Sequence, residues 1–187
     1  MKELQCFIKE VIEEEVRSSD YSSTYKTAQR VHRDQRRRSG EDYFEHPKEV
    51  RNIFRKFYPS DKIGQLAALL HDTLEDYEKG GVYKTEEEVI DQISGSITNP
   101  VPREKVISIV KSLTHSPSVR YSDYVASLSS TALRVKLADM LHNLQTSPSS
   151  KQKQKYKEAI DHLLELHGGS IPDISSDHID QILDLTA

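Results

Sequence analysis

Residues 71–76, His-Asp-Thr-Leu-Glu-Asp, place four ionisable side chains directly after a run of apolar residues. Charges so close to a buried helix cost free energy unless they pair or bind a ligand. An adjacent imidazole and carboxylate, His71 and Asp72, can coordinate one ion, and such mixed nitrogen and oxygen donors suit Mn²⁺, Fe²⁺ or Zn²⁺ better than Ca²⁺. A helix that continues through this segment places His71 and Glu75 on one face. It places Asp72 and Asp76 together on another. The segment therefore predicts a metal site.

Two further residues are candidates for completing the coordination sphere. His46 lies just before a predicted helix start, and Asp139 is an acidic residue on an otherwise apolar helix. Two imidazoles and two carboxylates would leave positions open for water and a phosphate oxygen, which is typical of a catalytic metal site. Asn143 follows Asp139 by four residues, so we expect it to point into the same cavity.

Apolar residues recur with helical spacing along the chain. The expected helices cover residues 2–17, 24–37, 47–57, 63–70, 85–93, 102–113, 121–128, 133–144, 151–167 and 177–185. The serine-rich stretch 18–23 is expected to separate the first two. No segment has the pattern typical of a β-strand. We therefore predict an all-α fold, with one domain over residues 1–187.

Composition argues against several classes of protein. The chain of 187 residues has 26 Lys or Arg and 30 Asp or Glu, and its net charge of −4 argues against general nucleic-acid binding. The single cysteine, Cys6, excludes an intrachain disulfide and a cysteine-based zinc cluster, and we expect it in the core of the first helix. No stretch approaches the ~18 apolar residues of a membrane span, and the acidic N-terminus is unlike a signal peptide. We expect a cytoplasmic protein without a membrane partner.

Three segments carry a resemblance to a known family. Residues 37–47 read Arg-Arg-Ser-Gly-Glu-Asp-Tyr-Phe-Glu-His-Pro, residues 67–76 read Ala-Ala-Leu-Leu-His-Asp-Thr-Leu-Glu-Asp, and residues 135–144 read Val-Lys-Leu-Ala-Asp-Met-Leu-His-Asn-Leu. The order His…His-Asp…Asp resembles HD-domain metal-dependent phosphohydrolases, and the local sequences resemble the hydrolase domains of RelA/SpoT-type enzymes. The resemblance runs from about residue 25 to 164. It implies a compact helical bundle and, since synthetase and regulatory domains have no room, a stand-alone small alarmone hydrolase.

The resemblance also implies an activity and a set of site residues. The reaction is removal of the 3′-pyrophosphate of ppGpp or pppGpp to give GDP or GTP plus pyrophosphate, usually with Mn²⁺. The implied metal ligands are His46, His71, Asp72 and Asp139. The residues implied to position and deprotonate water are Glu75 and Asp76. The implied nucleotide-binding residues are Arg37, Arg38 and Asn143, with Tyr156 as an aromatic ring over the base. His142 is expected to be structural, and Lys136 either pairs with a carboxylate or lines the pocket.

Three departures from the family pattern bear on the substrate. Asp42 replaces the usual proline, which predicts a looser loop, and Gln145 replaces an arginine found in many relatives. The segment 78–83 is longer than usual and is expected to form a different pocket wall. Two alternatives stay open: a phosphohydrolase for NADPH or another nucleotide with a 2′- or 3′-phosphate, and a non-catalytic nucleotide sensor. A homo-oligomer is compatible with the sequence.

Overall fold

The computed structural model describes residues 15–187, and within that range the architecture is helical, as predicted. The helices are α1 (Ser18–Val31), α2 (Glu45–Phe57), α3 (Lys62–Leu70), α4 (Thr73–Asp76), α5 (Glu86–Ser96), α6 (Pro100–Leu113), α7 (Tyr121–Ser127), α8 (Ser130–Gln145), α9 (Ser150–Leu166) and α10 (Ser176–Thr186). From α2 onward, helix bounds agree with the prediction to within three residues, apart from the separate short helix α4. Cys6 and most of the helix expected over 2–17 lie outside the described residues, and residues 15–17 are not helical.

Helix α1 begins at Ser18, so the prediction of a break over residues 18–23 was wrong. The Asp20 carboxylate accepts a hydrogen bond from the Arg17 backbone N–H at 3.0 Å, which satisfies a donor at the helix start. The same carboxylate accepts the backbone N–H and the hydroxyl of Thr98, at 3.0 and 2.7 Å. A buried acid therefore fixes this helix start against the segment before α6.

Helix α1 also ends earlier than predicted, at Val31 rather than near residue 37. The chain turns back after it, and the Tyr43 backbone N–H donates to the Gln35 carbonyl at 3.2 Å. The Gln35 side chain donates to the Asp76 carbonyl at 2.5 Å. These tertiary hydrogen bonds replace the helical ones and bring the loop 32–44 against α4.

Helix α3 is buried on all sides and forms the centre of the fold. It packs against α1, α2, α6 and α8, and its residues from Gly64 to Leu70 are all buried. A Cβ atom on Gly64 would lie 2.1 Å from the Phe54 ring, so only glycine lets α2 approach α3 so closely. The Asp61 carboxylate caps α3 by accepting the Gly64 backbone N–H at 2.8 Å, and it also pairs with Arg134 of α8 at 3.2 Å.

A second apolar cluster, the C-terminal cluster, fills the space between α7, α8, α9 and α10. Its fully or almost fully buried members are Val125, Leu137, Met140, Leu141, Ala159, Ile160, Leu163 and Ile182. Helix α8 contributes to both clusters, so its Asp139 lies between two apolar regions. Across the described residues, each helix is too short or too polar to cross a bilayer.

The segment 78–83 packs against α1. A Cβ atom on Gly80 would lie 1.8 Å from the Val31 carbonyl oxygen, so the backbones touch there. Tyr83 is 8% exposed, and the Arg30 guanidinium lies 5.8 Å from the centre of its ring. Lys79 of the same segment pairs with the Asp76 carboxylate of α4, so the segment also reaches the site residues, and its role as a pocket wall stays a prediction.

Candidate metal centre

The chain leaves the helix at the two residues that the sequence marks for metal binding. Helix α3 ends at Leu70, as predicted, and α4 begins at Thr73, so the continuous helical spacing assumed for residues 71–76 was wrong. The Thr73 hydroxyl donates to the Leu70 carbonyl at 2.6 Å, and His71 Nδ1 donates to the Ala68 carbonyl at 2.9 Å. Such side-chain bonds to the backbone compete with helix formation. The break lets His71 and Asp72 meet, with Nε2 and Oδ2 3.1 Å apart.

The candidate metal centre, called the metal centre below, comprises His46, His71, Asp72 and Asp139 and is formed by three parts of the chain. His46 Nε2, in the first turn of α2, lies 3.2 Å from His71 Nε2 and 3.4 Å from Asp72 Oδ2. Asp139 Oδ1, on α8, lies 3.2 Å from His46 Nε2 and 3.8 Å from His71 Nε2. All the metal ligands predicted from the sequence therefore converge on one point. Three of these side chains are at most 4% exposed, and Asp72 is partly exposed.

The charges at this point fit a divalent cation. Burial alone lowers the pKa of His71, but the Asp72 and Asp139 carboxylates reverse the effect and raise it to about 10. Two carboxylates therefore hold a positive charge between them. His71 Nδ1 donates to a backbone carbonyl, which leaves Nε2 as the metal-facing nitrogen of the neutral ring. A divalent ion would take the place of the proton on Nε2.

His142 contacts His46, which agrees with the structural role expected for it and shows which residue it positions. The two Nδ1 atoms lie 2.6 Å apart. Burial, with the neighbouring His46 adding to it, lowers the pKa of His142 to about 4, so His142 is neutral and can accept the proton of His46 Nδ1. That bond leaves His46 Nε2 free to face the centre. No local signal marks this pair, because 96 residues separate the two.

Two more side chains hold the carboxylates in place. The Tyr43 hydroxyl donates to Asp72 Oδ2 at 2.7 Å, and burial raises the pKa of Tyr43, which keeps its proton available. Lys136 Nζ donates to Asp139 Oδ2 at 2.8 Å. Lys136 therefore pairs with a carboxylate, which settles the alternative left open by the sequence. Its spacing of three residues from Asp139 on one helix was the available signal.

The two acidic residues of α4 lie in different surroundings. Glu75 reaches solvent, and its pKa is raised, first by partial burial and then by the negative charge of Asp72. Asp76 is 6% exposed, and its carboxylate pairs with Lys79. Gln35 also holds the Asp76 backbone carbonyl. Glu75 is thus the carboxylate accessible to a water molecule, and Asp76 is fixed by its contacts.

Comparison with known proteins agrees with this geometry. A family model described as HD domain matches residues 24–164, well over half of the chain. The chain belongs to the HD domain family. This result confirms the predicted relation to the RelA/SpoT-type HD proteins and the coarser expectation of a metal-dependent phosphohydrolase domain.

Three relatives of this HD domain show how far the similarity extends. A GTP pyrophosphokinase of Streptomyces coelicolor is 32% identical over 137 residues, which cover 72% of this chain and 16% of the relative. The GTP pyrophosphokinase rsh of Brucella melitensis is 32% identical over 143 residues, or 74% and 18%. A probable GTP pyrophosphokinase of Mycobacterium leprae is 30% identical over 141 residues, or 73% and 17%. The chain spans less than a fifth of the length of these relatives.

Of the predicted nucleotide-binding residues of the HD domain, Arg37 and Asn143 lie at the metal centre. Arg37 donates to the Asn143 amide oxygen at 3.2 Å and to the Thr146 hydroxyl at 3.3 Å. The Asn143 amide nitrogen donates to Asp139 Oδ1 at 2.6 Å, so Asn143 connects Arg37 to a predicted metal ligand. Arg38 is exposed and forms no hydrogen bond or ion pair with the described residues.

A cleft of about 380 Å³ opens beside Arg37, His142 and Thr146. Asp42 lies at its edge and holds the loop before α2 in two ways. Its Oδ1 accepts the Phe44 backbone N–H at 3.1 Å, and its Oδ2 pairs with Arg36 at 3.4 Å. These contacts hold the loop around Asp42, and its looseness relative to a proline-bearing loop stays a prediction.

Tyr156 contributes its hydroxyl to the site, whereas its ring is covered. The side chain is 3% exposed, and its ring stacks on that of Tyr121 with centroids 6.0 Å apart. The hydroxyl lies 3.4 Å from the Asn143 amide nitrogen and 3.1 Å from that of Gln152. The interpretation of Tyr156 as a ring over the base is corrected, because neighbouring side chains already cover that ring. Gln145 is exposed at the end of α8.

Proposed function

We propose that this HD domain hydrolyses the 3′-pyrophosphate of ppGpp or pppGpp and releases GDP or GTP together with pyrophosphate. The observation that carries the proposal is the meeting of His46, His71, Asp72 and Asp139 within 3.1–3.8 Å, beside the accessible carboxylate of Glu75. The relatives named GTP pyrophosphokinase support a guanine nucleotide as the substrate.

His46, His71, Asp72 and Asp139 would hold the ion, and Mn²⁺ fits their mixed nitrogen and oxygen donors. A divalent ion held there would lower the pKa of a bound water molecule, to as low as about 7, and would polarise a phosphate oxygen. Lys136, His142 and Tyr43 keep the donors in position through the hydrogen bonds described above. The protein thus contributes a donor set oriented before the substrate arrives.

Glu75 is the proposed proton acceptor for the attacking water. Its raised pKa brings it closer to the pH at which a carboxylate accepts and returns a proton efficiently. The water oxygen bonds to the phosphorus attached to O3′, the P–O3′ bond breaks, and the proton taken by Glu75 is returned to the O3′ oxygen. Asp76, held by Lys79 and Gln35, fixes the position of α4 during this exchange.

Arg37 and Asn143 are the proposed contacts to the nucleotide, with Arg38 joining them from the same loop. A guanidinium can meet a phosphate with two parallel hydrogen bonds. Arg37 already bonds to Asn143 and Thr146 at the mouth of the cleft, so its charge is held near the metal centre. The nucleotide would enter along this cleft.

The first test uses metal-stripped protein reloaded with Mn²⁺ and supplied with ppGpp, with products separated by ion-exchange chromatography. We expect GDP and pyrophosphate in equal amounts. Inorganic phosphate alone, or dephosphorylation of NADPH in a parallel reaction, would instead support the NADPH-type alternative. Binding of ppGpp without turnover would support a sensor.

A matched pair of variants tests whether the metal centre performs the reaction. Asp72→Asn keeps the side-chain shape but removes a charge, and we expect turnover to fall by at least about 10³-fold because several kcal/mol of transition-state stabilisation are lost. Asp123→Asn removes an exposed acid that pairs with Arg120, and we expect turnover to stay within about twofold. Equal effects in both variants would contradict the assignment.

A further inference from the structure

Lys155 on α9 has surroundings that differ from those of its neighbours. Its ammonium nitrogen lies 4.3 Å from the centre of the Tyr121 ring and 5.0 Å from that of Tyr156, a pair called here the tyrosine platform. Cation–π attraction holds the ammonium group over these rings. Lys157, two residues later, instead pairs with Asp161 at 2.6 Å. Among the described residues, no carboxylate forms an ion pair with Lys155.

The tyrosine platform adjoins the metal centre. Lys136 Nζ lies 6.0 Å from the centre of the same Tyr121 ring and donates to Asp139 Oδ2. The Tyr156 hydroxyl lies 3.4 Å from the Asn143 amide, which donates to Asp139 Oδ1. Two contacts thus lead from the platform to one predicted metal ligand.

The ammonium groups of Lys136 and Lys155 both lie within 6.0 Å of the centre of the Tyr121 ring. Among the described residues, only that of Lys136 pairs with a carboxylate. Partial burial, and then the positive charge of Lys136, lower the pKa of Lys155. Asp139 compensates Lys136, which leaves the charge of Lys155 without a partner. Lys155 is exposed, so water solvates its charge, and an anion bound there would also offset the repulsion from Lys136. An anion bound by Lys155 would lie beside the tyrosine platform, which adjoins the metal centre.

We infer that Lys155 binds a phosphate group of the substrate, at the edge of the metal centre that the tyrosine platform adjoins. The inference rests on the proposed function for the identity of the nucleotide. The binding itself requires only that the ligand carry a diphosphate group. Lys155 offers a point charge with three donors, and the platform fixes its direction. Lys155 would then hold the diphosphate from the tyrosine platform, in addition to the contacts proposed above for Arg37 and Asn143.

The test compares Lys155→Met with Lys157→Met, because both remove one charge from the same helix. Binding of inorganic pyrophosphate to the Mn²⁺-loaded protein is measured by calorimetry. Loss of a hydrogen bond to a charged group predicts about a tenfold higher Kd for Lys155→Met, and at most about a twofold change for Lys157→Met. Lys155→Arg should restore most of the affinity. Equal weakening in both Met variants, or none in Lys155→Met, would overturn the inference, and thermal melting checks that each variant is folded.

A second measurement separates this inference from the proposed function. With ppGpp as substrate, we expect Lys155→Met to raise KM by about tenfold and to change kcat by less than about threefold, because the lost contact exists before and during the reaction. If the wild-type protein binds pyrophosphate through Lys155 but does not turn over ppGpp, the inference holds and the alarmone substrate is wrong. If ppGpp is turned over and neither KM nor the pyrophosphate Kd depends on Lys155, only the inference fails.

Discussion

Two buried imidazoles, His71 in the metal centre and His178 beside the C-terminal cluster, have opposite protonation behaviour. His71 is 3% exposed and His178 is fully buried. Burial lowers the pKa of both. For His178 the result is about 4, whereas the carboxylates of Asp72 and Asp139 raise the pKa of His71 to about 10. At similar burial one imidazole is therefore neutral and the other protonated, and the difference comes from the carboxylates.

The surroundings of His178 are those of a structural residue. Its ring stacks on Phe57 with centroids 4.1 Å apart and planes 5° apart, and its Nδ1 bonds to the Tyr58 hydroxyl at 3.2 Å. It is a neutral, flat side chain that fills a space between α2 and α10. A buried histidine is therefore weak evidence for a metal site, whereas a buried histidine between two carboxylates is strong evidence.

The largest effect is expected from removing the charge that distinguishes the metal centre. Asp139→Asn leaves Lys136 without its carboxylate and takes one donor from the centre. We expect Mn²⁺ to be lost on dialysis and ppGpp turnover to fall by at least about 10³-fold. Metal analysis after dialysis checks this prediction, with Asp161→Asn on the surface of α9 as the control. Full Mn²⁺ occupancy in Asp139→Asn would show that the ion is held elsewhere.

A smaller effect is expected at His178, on the pH dependence of the free energy of unfolding. The folded protein holds His178 neutral down to about pH 4, whereas the unfolded chain takes up a proton near the ordinary value of 6.5. The free energy of unfolding therefore decreases as pH falls from 6.5 to 4, by about 3 kcal/mol from this group. His178→Phe should lose that part of the pH dependence.

Urea unfolding at pH 7 and pH 4.5 measures this difference. Exposed His167 provides the control, because His167→Gln should leave the pH dependence unchanged. Identical pH dependence in wild type and His178→Phe would contradict the assignment of a neutral His178. Of the two imidazoles compared, only the raised pKa of His71 would then still stand.

The smallest effect is expected at His142. Its pKa is as low as that of His178, but its ring lies at the metal centre. His142→Phe removes the acceptor that orients His46, and we expect Mn²⁺ affinity to fall by about 10–100-fold. Calorimetric titration with Mn²⁺ measures this affinity. The control is His162→Phe, since His162 contacts Asp123 of α7, and it should have the affinity of wild type. A normal affinity in His142→Phe would make His142 a packing residue, as first expected from the sequence.

The sequence was most informative where the signal was local. Helical spacing predicted the fold class and most helix bounds, because burying one face of each helix decides both. His71 and Asp72 were recognisable because charges directly after an apolar helix require a partner. Lys136 and Asp139 were three residues apart on one helix, which allowed their ion pair to be considered.

What the sequence did not predict depends on contacts between distant segments. The break before Thr73 arises from side chains that compete for helix carbonyls, which periodicity does not detect. The early start of α1 depends on Asp20 meeting Thr98, and the orientation of His46 depends on His142, in each case many residues away. Helix propensity and residue spacing contain no information about such pairs. The side chains that surround the predicted ligands could therefore be identified only from the structure.

Asp61 connects α3, which leads into two of the predicted metal ligands, with α8, which carries a third. It caps α3, which leads into His71 and Asp72, and it pairs with Arg134, upstream of Asp139 on α8. The entropy of bringing these helices together is therefore lost when the chain folds, before any ion arrives. An ion entering the centre finds its donors already gathered and does not have to order them.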